Sequence, residues 1–589
     1  MSPVGLSPTI SFDGQPLPST WQNALLEVRV ERRLNLTGRV SLRFLDPGYT
    51  LVQSGLVSLG TDVSVADPDH GHVALIDAEV TGVGVDQRPG EQPELVIVAH
   101  DRSHRMARAA RARTFLTMSF SDVVSSIVGA SGLSPAVDSS HPVFDYLLQV
   151  DSDLGLVNEL ARRSGFDWWV EGRTLHFGRP RNSPTVSLTV GGDLQSFSVR
   201  TSGQRPDTVV VDGWDRDAQD VVTGQASSPT EGLLPDSRLA RLVARPQEAF
   251  GEARFTTSAL GATSQAEADV LSQAILDRQA AAAVEATGVL AGDGRIQPGG
   301  AVTVGDAGPL NGSYPITAVE HVYRPGRGFR TRFASGDHQP AGLVDALGGA
   351  GPASVSVVPH TGLTVGHVTN INDPEHRGRV KVRFPGLSTE EESAWARIAV
   401  LGGGKDRGHV FIPEVNDEVL VAFEGSDTRT PVVVGGLYGS KSTIPTPDIA
   451  DGLVQKRAIT SRLGHTVALL DDDSSPATQA IELVLAGGDS KLHLGKDKLE
   501  ATVPAGTPVS VSAGNSSFKI ADDGAITLQG TSITIKADQQ LQLQGLTVSV
   551  SAQTELSLQG QVSAALKGAQ VQVQGEGQTS ISGGMVMIN

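Results

Sequence analysis

A chain of 589 residues is too long for one hydrophobic core, and at ~150 residues per domain it predicts about four. It has no cysteine, which excludes disulfides, thiol catalysis and thiolate metal sites, and its formal charge of −18 argues against a nucleic-acid backbone as partner, since that needs a Lys/Arg excess. No apolar run approaches the ~20 residues that span a bilayer, and the opening MSPVGLSPTISFDG lacks the basic and apolar regions of a secretory signal, so any export is expected by another route.

In chain order, residues 1–335 read as a mixed α+β block richer in strand than helix. NALLEVRVERRLNLTGRVSLRFLD alternates apolar and polar residues as half-buried strands do, and similar stretches recur near residues 94–99 and 185–190. Three helices interrupt them. The first, SDVVSSIVGASG, puts Val123, Val124, Ile127 and Val128 on one face, with Ser121 as its expected cap and Gly132 as its end. In the second, SDLGLVNELARRSG, Leu154, Val157, Leu160 and Ala161 share a face, Arg162 and Arg163 sit at the negative end of the dipole, and Gly165 stops the helix. The third opens on a capping box made by Ser264 and Glu267.

A Gly/Ala/Pro-rich stretch without periodicity, residues 336–358, reads as a linker. Residues 359–440 follow as short alternating strands in which Val380, Val382 and Phe384 face one way and Arg379, Lys381 and Arg383 the other. About five such strands predict a small closed barrel of the OB type. A second linker, residues 441–455, leads into a C-terminal segment, 456–589, of progressively simpler composition.

That segment repeats. LQG or VQG ends at Gly530, Gly545, Gly560 and Gly575, a period of fifteen residues, with an apolar pair before each glycine: Ile526/Leu528, Leu541/Leu543, Leu556/Leu558 and Val571/Val573. Half a period later come Ile533/Ile535 and Val548/Val550, so each repeat predicts two short strands of a solenoid. Fifteen residues supply too little chain to enclose a core alone, and no disulfide can staple a flattened coil. Three chains wound about one axis solve the problem, with these twelve residues as the core and Gln, Ser and Thr outward. Burial at ~1.5–3 kcal/mol per Leu, Ile or Val makes such a trimer very stable. No proline occurs from Val509 onward, as a complete ladder requires.

The barrel segment resembles that of VgrG and phage baseplate spike proteins. The resemblance is carried by Asp373 and Pro374, GRVKVRFP at 378–385, Trp395, FIPEVNDEVLVAF at 411–423 and PVVVGGLY at 431–438, with departures at Asn416 and Ser426, where that family has glycine. The first block is similar to the hub of the same proteins and to phage late-control proteins, through residues 154–180 and 295–333. The resemblance implies a mainly β protein: an α+β hub of two barrel-like modules with helical insertions, an OB-fold barrel, and a C-terminal three-chain β-helix in a homotrimer. It further implies the central spike of a contractile injection system, either type VI secretion or a phage-tail-like particle. The implied partners are a hexameric inner tube, baseplate proteins, a tip protein and, as passenger, effector cargo. Assembly is expected in the bacterial cytoplasm, with delivery into the target envelope on firing; the spike pierces a membrane without being integral to it.

No catalytic residue, cofactor or metal is expected. GGGKD around Lys405 lacks the remainder of a phosphate loop, and GVGVDQRPG at Gly82 fails the dinucleotide pattern. DDDSSPATQAIE, residues 471–482, has acids at calcium-loop positions but Pro476 where glycine is needed, and reads as a solvated hairpin tip. His367, His376 and His409 have no acidic partners at ligand spacing, and His493 lies alone, well before the tip. An exposed apolar end, Met585, Val586, Met587 and Ile588, is expected to dock a PAAR-like cone. Two other classes compete with the spike. A cell-wall-degrading spike enzyme needs paired carboxylates, whereas Asp538, Glu555 and Glu576 are scattered; a trimeric adhesin or tail fibre needs no hub.

Overall fold

The computed structural model describes residues 7–140, 143–180, 184–232, 235–258, 261–336, 362–386, 390–445 and 449–588. Most of the first linker lies outside them. The protein is mainly β and divides into two compact units, Met1–Ile444 and Pro445–Asn589, a boundary that falls inside the second linker.

The first unit is built on an eleven-stranded sheet that carries two cores. Leu25–Arg33 pairs antiparallel with Leu36–Leu45 on one side and Ala318–Arg324 on the other, so strands from both ends of the block meet at its centre. One core gathers Phe12, Trp21, Val30, Phe44 and Ile97; the other gathers Leu188, Val302, Tyr314 and Phe333. The predicted alternation holds strand by strand because one face of each pleat is buried.

The helices form where the apolar spacing puts them, but their caps differ from expectation. Phe120–Ala130 starts three residues before Val123, the first residue of its predicted apolar face: Ser119, not Ser121, accepts the Asp122 N–H, and the Asp122 carboxylate reaches back to the Ser119 N–H. In Asp153–Ser164, capped by Ser152 and ended by Gly165 at φ 66°, Leu156 takes the buried place expected of Leu154, which is only half-buried. Gln265–Ala281 is capped by Ser264, which accepts the Glu267 N–H. Glu267 does not complete a capping box. Its carboxylate bonds to the Thr263 N–H and hydroxyl and to arginines of other elements.

This last helix lies on the hairpin Thr208–Asp215/Asp220–Ala226 and packs Leu271 and Leu276 against Val209 and Val211. Contact is close at Gly224, where a Cβ would overlap the Ala268 backbone.

The barrel strands order as Lys381–Arg383, Thr364–Asn370, Glu418–Phe423, Pro431–Gly436 and Arg397–Ile398. Bridges Val380 to Ala396 and Arg383 to Glu392 join the last back to the first, so the barrel is closed, around Val368, Val380, Val382, Val419 and Val421. Asp373 accepts the N–H groups of Glu375, Arg377 and Arg379 and binds the Arg379 guanidinium at 2.8 Å, which fixes the turn into Lys381–Arg383. Asn416 stands at φ 76°, a left-handed position that glycine fills freely and asparagine tolerates.

In the second unit, Lys456–Thr460, Thr466–Asp471, Gln479–Val484, Lys491–Gly495 and Leu499–Thr502 form an antiparallel meander, followed by a three-stranded one ending at Ile526–Gln529. Residues 472–478 are a hairpin loop between two of these strands.

Gly224→Ala should force the Gln265–Ala281 helix off its hairpin and cost about 1–3 kcal/mol. Calorimetry of the full chain should show a lowered transition for the first unit, whereas Gly232→Ala, with open space around it, should not act by this route.

Candidate functional site

Among the described residues beyond Gln529 no strand forms. The chain runs extended between bends at 531–532, 538–539, 546, 553–554, 561–562, 569–570, 576–577 and 584–585, so bends recur every seven or eight residues, two per fifteen-residue repeat. Among the described residues, no backbone hydrogen bond joins two positions of 530–588. A single-chain solenoid would pair each extended segment with one a turn away. Here every segment lacks a ladder.

The side chains agree. Ile526 and Leu528 lie in the last strand, opposite Ile520 and Phe518, and are 67% and 54% exposed. Ile533, Ile535, Leu541, Leu543, Val548, Val550, Leu556, Leu558, Val571 and Val573 lie in the unpaired segments, all exposed. So do Met585, Val586, Met587 and Ile588. The structure does not bring these residues together within one chain. The segments holding these residues present each pair at i, i+2, on one side of the extended chain.

A second apolar face escaped the repeat-based reading. In the five-stranded meander, Val467, Leu483 and Leu492 stand side by side across three strands, and Leu469, Ile481 and Leu494 form the adjacent row, all 42–52% exposed. The signal was present as the same i, i+2 pairs: 467/469, 481/483 and 492/494. It was hidden because this stretch lacks the LQG punctuation.

The joint between hub and barrel is built differently, from charge. Arg163 ends one hub helix, Glu267 begins another, and Asp427 and Arg429 lie in the barrel loop before Pro431–Gly436. Arg163 Nη1 is 3.2 Å from Glu267 Oε1 and its Nη2 3.3 Å from Asp427 Oδ2; Arg429 Nη2 lies 2.7 Å from each carboxylate. All four side chains are at most a tenth exposed. Burial would raise the Glu267 and Asp427 carboxyls, but Arg429 and Arg163 overcome it, lowering Glu267 and holding Asp427 well below the usual carboxylate range. Around this network the antiparallel hub strands Arg113–Ser119 and Val143–Gln149 place Tyr146 and Leu148 in the barrel core, the Tyr146 hydroxyl donates to the Glu392 carbonyl, and Thr428 donates to the Leu148 carbonyl.

The nucleotide-loop lookalikes are ordinary surface: Lys405 and Asp406 turn a two-residue hairpin, and Gly82 lies inside the strand Val73–Asp86. His367, His376 and His409 are not gathered into any grouping of three possible metal ligands among the described residues. Asp67, His70 and Asp293 form one, with His70 Nδ1 2.8 Å from Asp67, yet Asp67 already accepts the N–H groups of Asp69 and Gly294, and Asp293 holds Arg295.

Comparison with known proteins follows these two surfaces. The family described as Type VI secretion system/phage-baseplate injector OB domain matches residues 364–438, the span of the closed barrel. The Alg8 N-terminal domain family matches residues 5–324, more than half the chain. The chain belongs to the Alg8 N-terminal domain family. Among curated relatives, the spike protein VgrG1c of Pseudomonas aeruginosa is 33% identical over 98 residues, 16% of this chain and 14% of its own length. VgrG5 of the same organism is 44% identical over 72 residues, 12% of this chain and 9% of its own. The matched part thus spans about a seventh or less of these relatives. A Francisella PdpA–VgrG complex covers 89% of this chain and 80% of its own at 9% identity and a TM-score of 0.48. An Escherichia coli type VI secretion component covers 73% and 99% at 12% identity and 0.44.

For this Alg8-family chain, Arg429→Met should leave two buried carboxylates facing one guanidinium and destabilise the first unit by about 3–5 kcal/mol. Because the folded-state carboxyls are depressed, their contribution is present above the ordinary carboxylate pKa and is lost as pH falls below about 4. The wild-type unfolding temperature should therefore drop on acidification through that window, and Asp427→Asn should flatten the drop.

Proposed function

We propose that the chain is the central spike of a bacterial contractile injection system and acts as a homotrimer. Its hub engages a hexameric inner tube, and its C-terminal segment is a needle driven into a target envelope by sheath contraction. The observation that carries this reading is the extended tail. It has regular bends, exposed apolar pairs and no ladder of its own, and it follows an injector OB barrel. Three copies give each segment a neighbour for its N–H and C=O groups and turn the pairs into a core. The apolar rows at 467–494 extend the same demand toward the start of the unit.

The work is mechanical, and no residue is assigned to catalysis. The buried ion network and inserted strand pair tie barrel to hub, so a push on the hub reaches the barrel through packed side chains rather than through the linker alone. Met585, Val586, Met587 and Ile588 are the docking surface for a cone-shaped PAAR-like tip protein, and baseplate proteins and effector cargo are the remaining partners. The protein is placed in a contractile particle assembled in the cytoplasm and released, or fired, from there.

Light scattering on the purified full chain should give three times the 61.4 kDa chain mass. A soluble monomer with an ordered tail overturns the reading. Leu543→Asp together with Val550→Asp should break the trimer or fray its needle to protease, while Gln542→Asp should not. Removing residues 585–589 should abolish binding of a PAAR-like protein and leave the trimer intact.

A further inference from the structure

The meander's polar face holds a histidine whose surroundings the mechanical reading does not use. His493 lies in Lys491–Gly495 and is 6% exposed. Its Nδ1 is 2.8 Å from Glu482 Oε1 on the adjacent strand, and Lys491 also pairs with that carboxylate. A carboxylate oxygen at this distance accepts the Nδ1 proton. The imidazole lone pair is then on Nε2.

Nε2 is buried and has no hydrogen-bond partner. Asp497 Oδ1, from the turn after the strand, lies 3.8 Å from it. The two atoms converge on the space above Gly495, where a Cβ would come within 2.5 Å of Nε2 and 2.7 Å of Oδ1. Glycine keeps that space open.

We infer that His493 Nε2 and Asp497 bind a divalent transition-metal ion of the zinc class over Gly495, with Glu482 orienting the imidazole from behind. Two ligands bound to zinc at 2.0–2.2 Å and a tetrahedral angle are about 3.4 Å apart, so the observed separation needs to close by only a few tenths of an ångström. A carboxylate on the far nitrogen is the usual companion of a metal-bound histidine, because it fixes the tautomer and raises the basicity of the ligand. Water completes the coordination. The ion would pin the 496–498 turn to the strand, and the site lies within one chain, so it stands or falls independently of the trimer.

The test uses the full chain, stripped with a chelator and titrated with Zn²⁺, then Co²⁺, by calorimetry and visible absorption. One ion per chain is expected, with cobalt bands of mixed nitrogen and oxygen ligation. His493→Gln should abolish binding, and Glu482→Gln should weaken it 10–100-fold. Gly495→Ala keeps both ligands and sits at a φ that alanine accepts, so it separates a filled cradle from a lost ligand; it too should abolish binding. Circular dichroism on each variant checks that the strands persist. Failure of the stripped protein to take up either ion overturns the inference, as does uptake that persists undiminished in folded His493→Gln.

Discussion

Everything in the second unit follows from the requirement that an ordered backbone pair its N–H and C=O groups. In the first unit that requirement is met inside the chain, by the eleven-stranded sheet, the closed barrel and capped helices. In residues 530–588 it is not: the chain holds an ordered sequence of bends and extended segments while making no ladder. Water can satisfy such groups one at a time, but it cannot fix their spacing. In the proposed trimer, a bend every seven or eight residues is the length of one side, and the other sides are supplied by the partner chains. The exposed pairs point to the same conclusion by a separate route, since scattered single apolar residues are normal on a surface and a sustained row of them is not.

The two units therefore keep their order by opposite means. In the proposed trimer the C-terminal segment relies on burial, which is non-directional and tolerant, and a simple repeat suffices to encode it. The hub–barrel joint relies on two guanidiniums and two carboxylates at 2.7–3.3 Å, all buried. A buried ion network is weak evidence for net stability, because desolvation offsets most of the attraction. Its effect is on geometry. Removing any one member leaves a buried charge unmatched, so the barrel has one seat on the hub and resists sliding across it.

Legibility in the sequence divides along the same line. Features set by local chemistry could be read directly: the alternating strands of the barrel, the left-handed Gly165 that stops a helix, and the fifteen-residue period of the tail. Asn416 was visible as a turn variant, and its positive φ explains why glycine is the usual occupant. Ser121 was misread as a cap because Ser119 competes two residues away, and Asp122 at the third helical position decides in favour of Ser119. The ion network was beyond reach. Arg163 has the ordinary look of a cation at a helix C-terminus, and its partners lie 104 and 264 residues further along the chain.

Glu267 shows why such sites resist sequence reasoning even when the motif is correct. Ser264 with Glu267 is a sound capping signal, and the serine half forms as expected. The glutamate has two offers, a backbone N–H at the helix start and two buried guanidiniums. A charge-assisted bond in a dry interior is roughly twice as strong as one between neutral groups, so the carboxylate turns to the arginines and keeps only Thr263 of the helix entry. The same logic applies to His493. Read alone it is one histidine far from the tip, yet the register of two strands supplies Glu482 on one nitrogen and a glycine two residues on leaves the other nitrogen facing Asp497. In both places the residue type was visible and its partner was not, because the partner is delivered by strand register or domain docking, and neither leaves a local mark in the chain.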